Sequence, residues 1–368
     1  MPKNLLKNLH YSIGLMSGTS MDKIDGVLAE TNGENYFNVI AKSSLKYKKK
    51  TVQNLKYFIN NHHLVEGKSL KKKSLYNNVT IDHINVIDDL ISKTNLKPSI
   101  IGFHGQTIYH NSKKKISIQV GVPELIKKKF NIDVISNFRR NDMKNGGEGA
   151  PISPIYHKFL IDKFKLPIPC CFINIGGVAN LTYYDGSCLI GFDTGPGNGL
   201  MDIYCNKNLN LPFDKNGDLA SKGKVNKNLV LQFCENEFFS KSYPKSLDKF
   251  TFSDFLLNED FTSLNNNDAL ATLNEITVQT ILKSLTILPE KPSLIVTMGG
   301  GIKNLCLVNN LKSKYSYKLI SSDEIGIDSE YAESEMIAYL AARKVRNLEG
   351  SFPMTTGVYR PVVLGEIY

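Results

Sequence analysis

The sequence predicts an α/β protein made of two related halves, and three observations carry that reading. At 368 residues the chain exceeds the roughly 250 to 300 at which a single core stops growing. Buried strands run three times into turns of Gly, Thr, Ser or Asn, at "GLMSGTSMDKID", "NIGGVANLT" and "TMGGGIKN". Segments with apolar residues at helical spacing lie between them.

Taken in order, Tyr11 to Met16 and Ile24 to Glu30 read as strands of a hairpin around a short polar turn. Thr51 to Leu96 carries Leu55, Phe58 and Ile59, then Ile81, Ile84, Ile87, Leu90 and Ile91, which predicts mostly helix. "SIIGFHGQTIYH" gives a buried strand ending at Gly102 and then a polar loop. "ISIQVG" is a further strand, and Pro123 opens the helix "PELIKKKF", where its missing N–H is harmless. From Asn131 to Pro154 a strand leads into a loop rich in Gly and Pro, the expected crossing between domains. "CCFINIGGVANLTYYDGSCLIGFDTGPGNGLMD" alternates strands with glycine turns, a long helix covers Asp268 to Leu288, and a last helix runs from about Asp328 to Asn347. The expected domains are 1–135 completed by 340–368, and 136–339.

Composition narrows the function classes. Hydrophobic residues make up 42% and charged residues 22%, enough apolar material for two cores and too much for a disordered chain. No stretch approaches the ~18 to 20 apolar residues of a membrane span, and Met1 to His10 lacks an apolar signal, so the expected location is cytoplasmic with no membrane partner. Six cysteines without a CxxC pair read as reduced, buried thiols. The net charge of +10 raises nucleic acid. Its sources are scattered lysine triplets (48–50, 71–73, 113–115, 127–129) with little arginine and no interleaved aromatics, which reads as solvated surface and predicts no nucleic-acid partner.

The opening turn fits neither GxxxxGK[ST] nor GxGxxG. What remains is a hairpin whose backbone N–H groups and two hydroxyls can form an anion nest, or an ordinary polar turn. The second and third turns, Asn174-Ile175-Gly176-Gly177 and Gly299-Gly300-Gly301 with Asn304, shift the balance. Three glycine turns after buried strands suit a protein that brings backbone close to a nucleotide.

With "GFHGQTIYH", "NFRRNDMKNGGEGAPISP", "GFDTGPGNGLMD", "YPKS" and "ATLNEIT", these motifs run in order from Gly14 to the "TTG" at Thr355. Together they resemble the anhydro-N-acetylmuramic acid kinase family. The resemblance implies two ribonuclease-H-like α/β domains of the actin, Hsp70 and sugar-kinase fold, with ATP in the cleft between them, domain closure and a homodimer. It implies that ATP converts 1,6-anhydro-N-acetylmuramic acid, with water, to N-acetylmuramic acid 6-phosphate in peptidoglycan recycling. Carried over by motif, Gly18, Thr19, Ser20, Met21, Asp22, Lys23, Ile24 and Asp25 form the first ATP segment, Asn174, Gly176 and Gly177 the second. Gly299, Gly300, Gly301 and Asn304 are implied near the adenosine. The expected metal is Mg²⁺ arriving with ATP, held by phosphates and water, with Asp22 the candidate side chain.

Asp193 matches the family's catalytic aspartate, and the reaction needs a carboxylate to orient and deprotonate the attacking water. The bland alternative is an Asp capping its own loop. Glu333 is the second catalytic candidate, with Glu335 the neighbouring choice. The sugar-site candidates are His104, Gln106, Arg139, Gly149, Ala150 and Gly195. Arg139 suits the lactyl carboxylate or a phosphate because guanidinium makes paired bonds to such groups, with Arg140 the alternative. His104 lacks a nucleophile context and reads as a loop histidine bonded to backbone or lining the sugar site. Two departures stand out: Met16 occupies a position that is Asp in many relatives of the wider fold, and Lys23 replaces the glycine of the family's usual MDGID. Lys23 then either takes a costly positive φ or has ordinary backbone, and its ammonium is also within the expected reach of ATP. The rival class is a chaperone-like or regulatory ATPase of the same fold, disfavoured because a pure ATPase needs no second glycine-lined pocket.

Overall fold

The two opening apolar runs fold as β1 (His10–Ser17) and β2 (Lys23–Thr31), paired antiparallel with Ile13 opposite Leu28 and Met16 opposite Asp25. The computed structural model describes residues 8–18, 21–65, 69–248, 250–316 and 318–368. It divides into a first unit, the chain up to Lys163 together with Glu330–Tyr368, and a second unit, Phe164–Ser329.

A third strand, β3 (Phe37–Lys46), not anticipated from sequence, extends the hairpin to a meander. The region expected to be mostly helix is broken: α1 (Lys49–Asn60) and a short 3₁₀ turn precede α2 (Leu70–Thr94). Ser69 caps α2 by accepting from the Lys72 N–H, and Asn95 ends it in left-handed geometry. The strand expected to stop at Gly102 continues as β4 (Ile100–Asn111), because β5 (Ile116–Val120) pairs antiparallel with its far half and satisfies the backbone of the supposed loop. Then come α3 (Pro123–Phe130), β6 (Asp133–Ser136), α4 (Arg140–Lys144) and α5 (Pro154–Phe164).

The second unit opens with β7 (Cys170–Ile175), β8 (Ala179–Tyr184) and β9 (Leu189–Gly195). Helices α6 (Gly199–Tyr204), α7 (Lys227–Cys234), α8 (Glu237–Ser240) and α9 (Glu259–Thr262) lead to α10 (Asn266–Leu285), which Asn265 caps. It closes with β10 (Leu294–Met298), α11 (Leu305–Lys314) and β11 (Lys318–Ser321). The chain then returns to the first unit as α12 (Ala332–Val345), α13 (Pro353–Thr356) and β12 (Glu366–Ile367).

Both sheets share one plan. The first runs β12-β6-β4-β1-β2-β3 and the second β11-β10-β7-β8-β9. In each, an antiparallel three-strand meander has its first strand inside the sheet, and two further strands, β4 then β6 or β10 then β11, add beyond it in parallel. This is the ribonuclease-H-like order, repeated, as the resemblance implied.

The first sheet is packed on both faces. Ile13, Leu15, Ile101 and Phe103 meet Val79, Val86 and Leu90 of α2 in one core. On α12's side, β1 and β4 each present a glycine. A Cβ on Gly14 would lie 2.0 Å from the Ser334 carbonyl, and one on Gly102 would lie 2.7 Å from that of Ile337. Backbone therefore lies on backbone, and Ser12 donates to the Ala338 carbonyl at 2.9 Å. In the second unit, β7 is central and apolar except for Asn174 near its end, as a strand covered on both faces should be, and Leu273, Ile276 and Ile281 of α10 join its core.

The unit boundaries correct the expected ones. Residues 136–163 and 330–339, assigned by sequence to the second domain, belong to the first unit. The reason is packing: Tyr156 and Phe159 of α5 stack among Phe37 and Tyr339, and Tyr156 donates to Glu335 at 2.7 Å. The Gly/Pro loop is likewise sewn to the returning segment, with Glu148 N–H donating to the Thr356 carbonyl at 2.7 Å. Glycine content marked a tightly bonded loop here, not a linker.

Candidate functional site

In the first unit the β1–β2 turn closes with Met21 N–H donating to the Gly18 carbonyl at 3.2 Å. Thr19 and Ser20 lie outside the described residues. Met21, buried, takes the positive φ of 58°. Lys23 does not: it is the first residue of β2, in register with Lys46. Its ammonium lies 2.6 Å from Glu330 and 3.0 Å from Asp25. Burial alone would lower its pKa, and the bonds to these two carboxylates raise it instead. Of the two readings of Lys23, the backbone is ordinary. Asp22 is exposed and Ile24 is buried in the core beneath the hairpin.

Gln106, fully buried, braces this turn from β4 by donating to the Gly18 carbonyl at 3.0 Å and to Thr107's at 3.2 Å. Its Oε1 is buried with no partner among the described residues, an acceptor still open. Two residues earlier, His104 is buried with Nδ1 3.0 Å from the Gly105 carbonyl. Arg139 donates from Nε to His104 Nε2 at 3.3 Å, which assigns the proton to Nδ1. Burial, aided by the Arg139 charge, pushes the His104 pKa down to about 3, so the ring is neutral. A neutral imidazole with both nitrogens engaged positions groups and does not serve as a general acid.

Arg139 also donates from Nη1 to the Gly149 carbonyl at 2.7 Å. Gly149 has a φ of 76°, and the Ala150–Pro151 peptide is cis. His104, Arg139 and Gly149, with Ala150 next in the chain, are therefore joined at the middle of β4, where Gln106 also stands. Arg140 pairs at the surface with Glu366 at 3.2 Å. A cavity of about 480 Å³ opens beside this cluster, lined by Lys72, Tyr76, His104, Gly105, Asn137 and Arg140 among others. On α12, Glu335 is buried and accepts from Tyr156, whereas Glu333 is exposed.

In the second unit Asp193 stands on β9 opposite Asn180 of β8, where a register shift adds a residue to β9. Such bulges re-aim side chains beside sites. Asp193 N–H donates to the Lys245 carbonyl at 2.9 Å, and its Oδ2 accepts from Leu247 N–H at 2.7 Å. The segment 245–247 thus clamps Asp193 at backbone and carboxylate. Lys245 is itself buried and donates to the carbonyls of Phe238 and Lys241 at 3.0 and 2.8 Å. Burial, with Lys283 and Lys241 near, lowers its pKa to about 8.

The glycines divide into two kinds. Gly195 is buried, and a Cβ there would lie 2.4 Å from Thr280 Oγ1; one on Gly301 would lie 2.3 Å from Ile175 Cγ2; one on Gly299 would lie 2.3 Å from Asn174 Oδ1. These positions are filled by the protein itself. Gly177 accepts from Gly199 N–H at 3.0 Å. By contrast, a Cβ on Gly300 would meet nothing within 4 Å, and the nearest atom to one on Gly176 is at 3.5 Å. Asn304 accepts from Leu307 N–H at 3.1 Å as the cap of α11.

Two residues outside the expected set complete the second unit's candidates. Asn180 and Asn198 each bury Oδ1 with no partner among the described residues. Both lie in quoted motifs, and the signal that finds them is an orphaned acceptor, visible only in three dimensions. The donor set suits the groups the resemblance implied. Open glycines leave backbone accessible to a nucleotide, and orphaned amide oxygens suit hydroxyls or water held by a divalent cation. Among the described residues, no cluster of three or more His, Cys, Asp or Glu could hold a metal, and no helix is long and apolar enough to cross a membrane.

A family model described as anhydro-N-acetylmuramic acid kinase matches residues 10–368. The chain is 35% identical over 372 residues to the anhydro-N-acetylmuramic acid kinase of Pelagibacter ubique, covering 98% of each. It is also 35% identical to that of Brucella canis over 374 residues, covering 97% of this chain and 98% of the other. Among solved structures, the activator of the 2-hydroxyisocaproyl-CoA dehydratase from Clostridium difficile with bound ADPNP aligns with a TM-score of 0.44 at 15% identity, over 92% of this chain and 96% of that one.

Proposed function

The chain belongs to the anhydro-N-acetylmuramic acid kinase family and is an enzyme of that type, and from that premise we propose that it cleaves the 1,6-anhydro bond of 1,6-anhydro-N-acetylmuramic acid with water while phosphorylating O6. The product is N-acetylmuramic acid 6-phosphate, and the setting is cytoplasmic recycling of peptidoglycan by a homodimer. ATP supplies the γ-phosphoryl group, with Mg²⁺ shielding its charge.

The observation that carries the reading is Asp193, buried and clamped by Lys245 and Leu247. Asp193 takes a proton from water as the water oxygen bonds the anomeric carbon. The C1–O6 bond breaks, O6 accepts the phosphoryl group, and ADP leaves. His104 and Arg139 recognise the sugar, with Arg139 meeting the lactyl carboxylate. Gly149 and Ala150 shape that site, Gln106 offers its open acceptor, and Glu333 reaches the sugar from α12. Gly195, two residues beyond Asp193 on β9, lines the sugar site.

For the nucleotide, the backbone of the turn from Gly18 to Asp22 receives phosphates, while Lys23, Ile24 and Asp25 anchor it. Gly176 and Gly300 allow close approach, with Asn174, Gly177, Gly299, Gly301 and Asn304 holding those turns in shape. Asp22 is the side chain offered to a hydrated Mg²⁺.

The test is incubation with ATP, Mg²⁺ and the anhydro sugar in ¹⁸O water, with mass spectrometry of the product. Label at the anomeric oxygen is expected. Label in phosphate, or no sugar phosphate, would overturn the mechanism. Asp193→Asn should abolish conversion while retaining ATP binding.

A further inference from the structure

Asp142 is a carboxylate with no accessible surface, and no Lys or Arg among the described residues forms an ion pair with it. Burying such a group is costly unless its oxygens are satisfied. Here they are, by neutral donors: Gly149 N–H reaches Oδ1 at 2.7 Å and Thr356 Oγ1 donates to Oδ2 at 2.5 Å. The loop closes tightly over it, since a Cβ on Gly147 would lie 2.1 Å from Oδ1. Thr356 belongs to the returning segment, and its carbonyl also takes the Glu148 N–H.

The peptide that Asp142 holds leads to the sugar candidates. Gly149, fixed at a φ of 76°, offers its carbonyl to Arg139 Nη1, and Arg139 Nε donates to the unprotonated Nε2 of His104. A continuous chain of hydrogen bonds thus runs Thr356, Asp142, Gly149, Arg139, His104. We infer that Asp142, buttressed by Thr356, is a positioning residue that aims the Arg139 guanidinium and the His104 ring at the sugar. The inference rests on the sugar-kinase reading for its functional meaning, and on the bonds themselves for the relay.

Both parts can be tested separately. In the sugar-free protein, selective ¹⁵N-histidine spectra of the wild type should show His104 protonated at Nδ1 alone. In Asp142→Asn the Arg139 contact loosens, so the His104 Nε2 resonance should shift while Nδ1, held by the Gly105 carbonyl, stays protonated. In kinetics, Asp142→Asn should raise the KM for the anhydro sugar at least tenfold, with kcat and the KM for ATP changed less than threefold. Thr356→Val, which removes one donor and leaves the carboxylate, should move the same parameters in the same direction by a smaller factor. In an Arg139→Ala background, Asp142→Asn should add less than a further twofold.

An unchanged His104 signature, equal losses for sugar and ATP, or effects that multiply fully with Arg139→Ala would each overturn the relay. If Asp142→Asn does not fold, Thr356→Val carries the same readouts. A wild type that fails to use the sugar would sink the proposed function, while the His104 spectrum would still decide the relay.

Discussion

The Lys23 ammonium donates to Glu330 at 2.6 Å, joining the first hairpin to the point where the chain re-enters the first unit. Because its backbone is a regular strand, Lys23→Gly has no strain to relieve. It removes two partly exposed ion pairs and puts glycine in a strand, so it should lower stability by about 1 kcal/mol. With the ammonium committed to carboxylates, ATP affinity should stay within threefold. A rise in melting temperature, or a large loss of ATP affinity, would contradict this account.

Glu333 and Glu335 should separate cleanly. Glu335→Ala strands the buried Tyr156 hydroxyl, a loss of about 1–3 kcal/mol. Urea unfolding should report it. Glu333→Gln, at an exposed position, should leave unfolding unchanged and reduce turnover. The reverse pattern would exchange their roles.

Gly300 and Gly301 offer a neighbouring pair with opposite expectations. Gly301→Ala drives a Cβ into Ile175 and should destabilise the protein by about 1–3 kcal/mol. Gly300→Ala meets no protein atom, so stability should hold while the KM for ATP rises. An unaltered KM would remove Gly300 from the nucleotide site.

Acid should weaken the first unit. Burial holds the pKa of His83 at about 4 and those of His104, His110 and His157 at about 3, against about 6.5 unfolded. The unfolded chain therefore binds more protons below pH 6.5, and stability falls with pH from there until the folded values are reached. Each histidine contributes roughly 1 kcal/mol of loss by pH 5.5. Equal urea midpoints at pH 7.5 and 5.5 would refute this.

Much of this was legible in the chain itself. Strands ending in glycine turns and Pro123 at the start of its helix are local signals, written in the residues that form those elements. What was not legible depends on distant partners. The positive φ fell on Met21 rather than Lys23 because β2's pairing with β3 fixes Lys23 as strand. The polar half of β4 was hidden because β5, not composition, makes it a strand. Asp142 looked like one more polar residue before a glycine loop, and only Thr356, more than two hundred residues on, gives it a role.

Helix α12, whose backbone rests on Gly14 and Gly102, is encoded after the whole of the second unit. On the ribosome the first sheet apart from β12 is therefore made early, but β1 and β4 stay uncovered on the side of α12 until roughly 200 further residues have emerged, about ten seconds or more at ordinary elongation rates. The second unit, continuous in the chain, can finish first. Order of synthesis and order of completion are inverted, and the interval exposes strands β1 and β4 to any chaperone that reads apolar sheet.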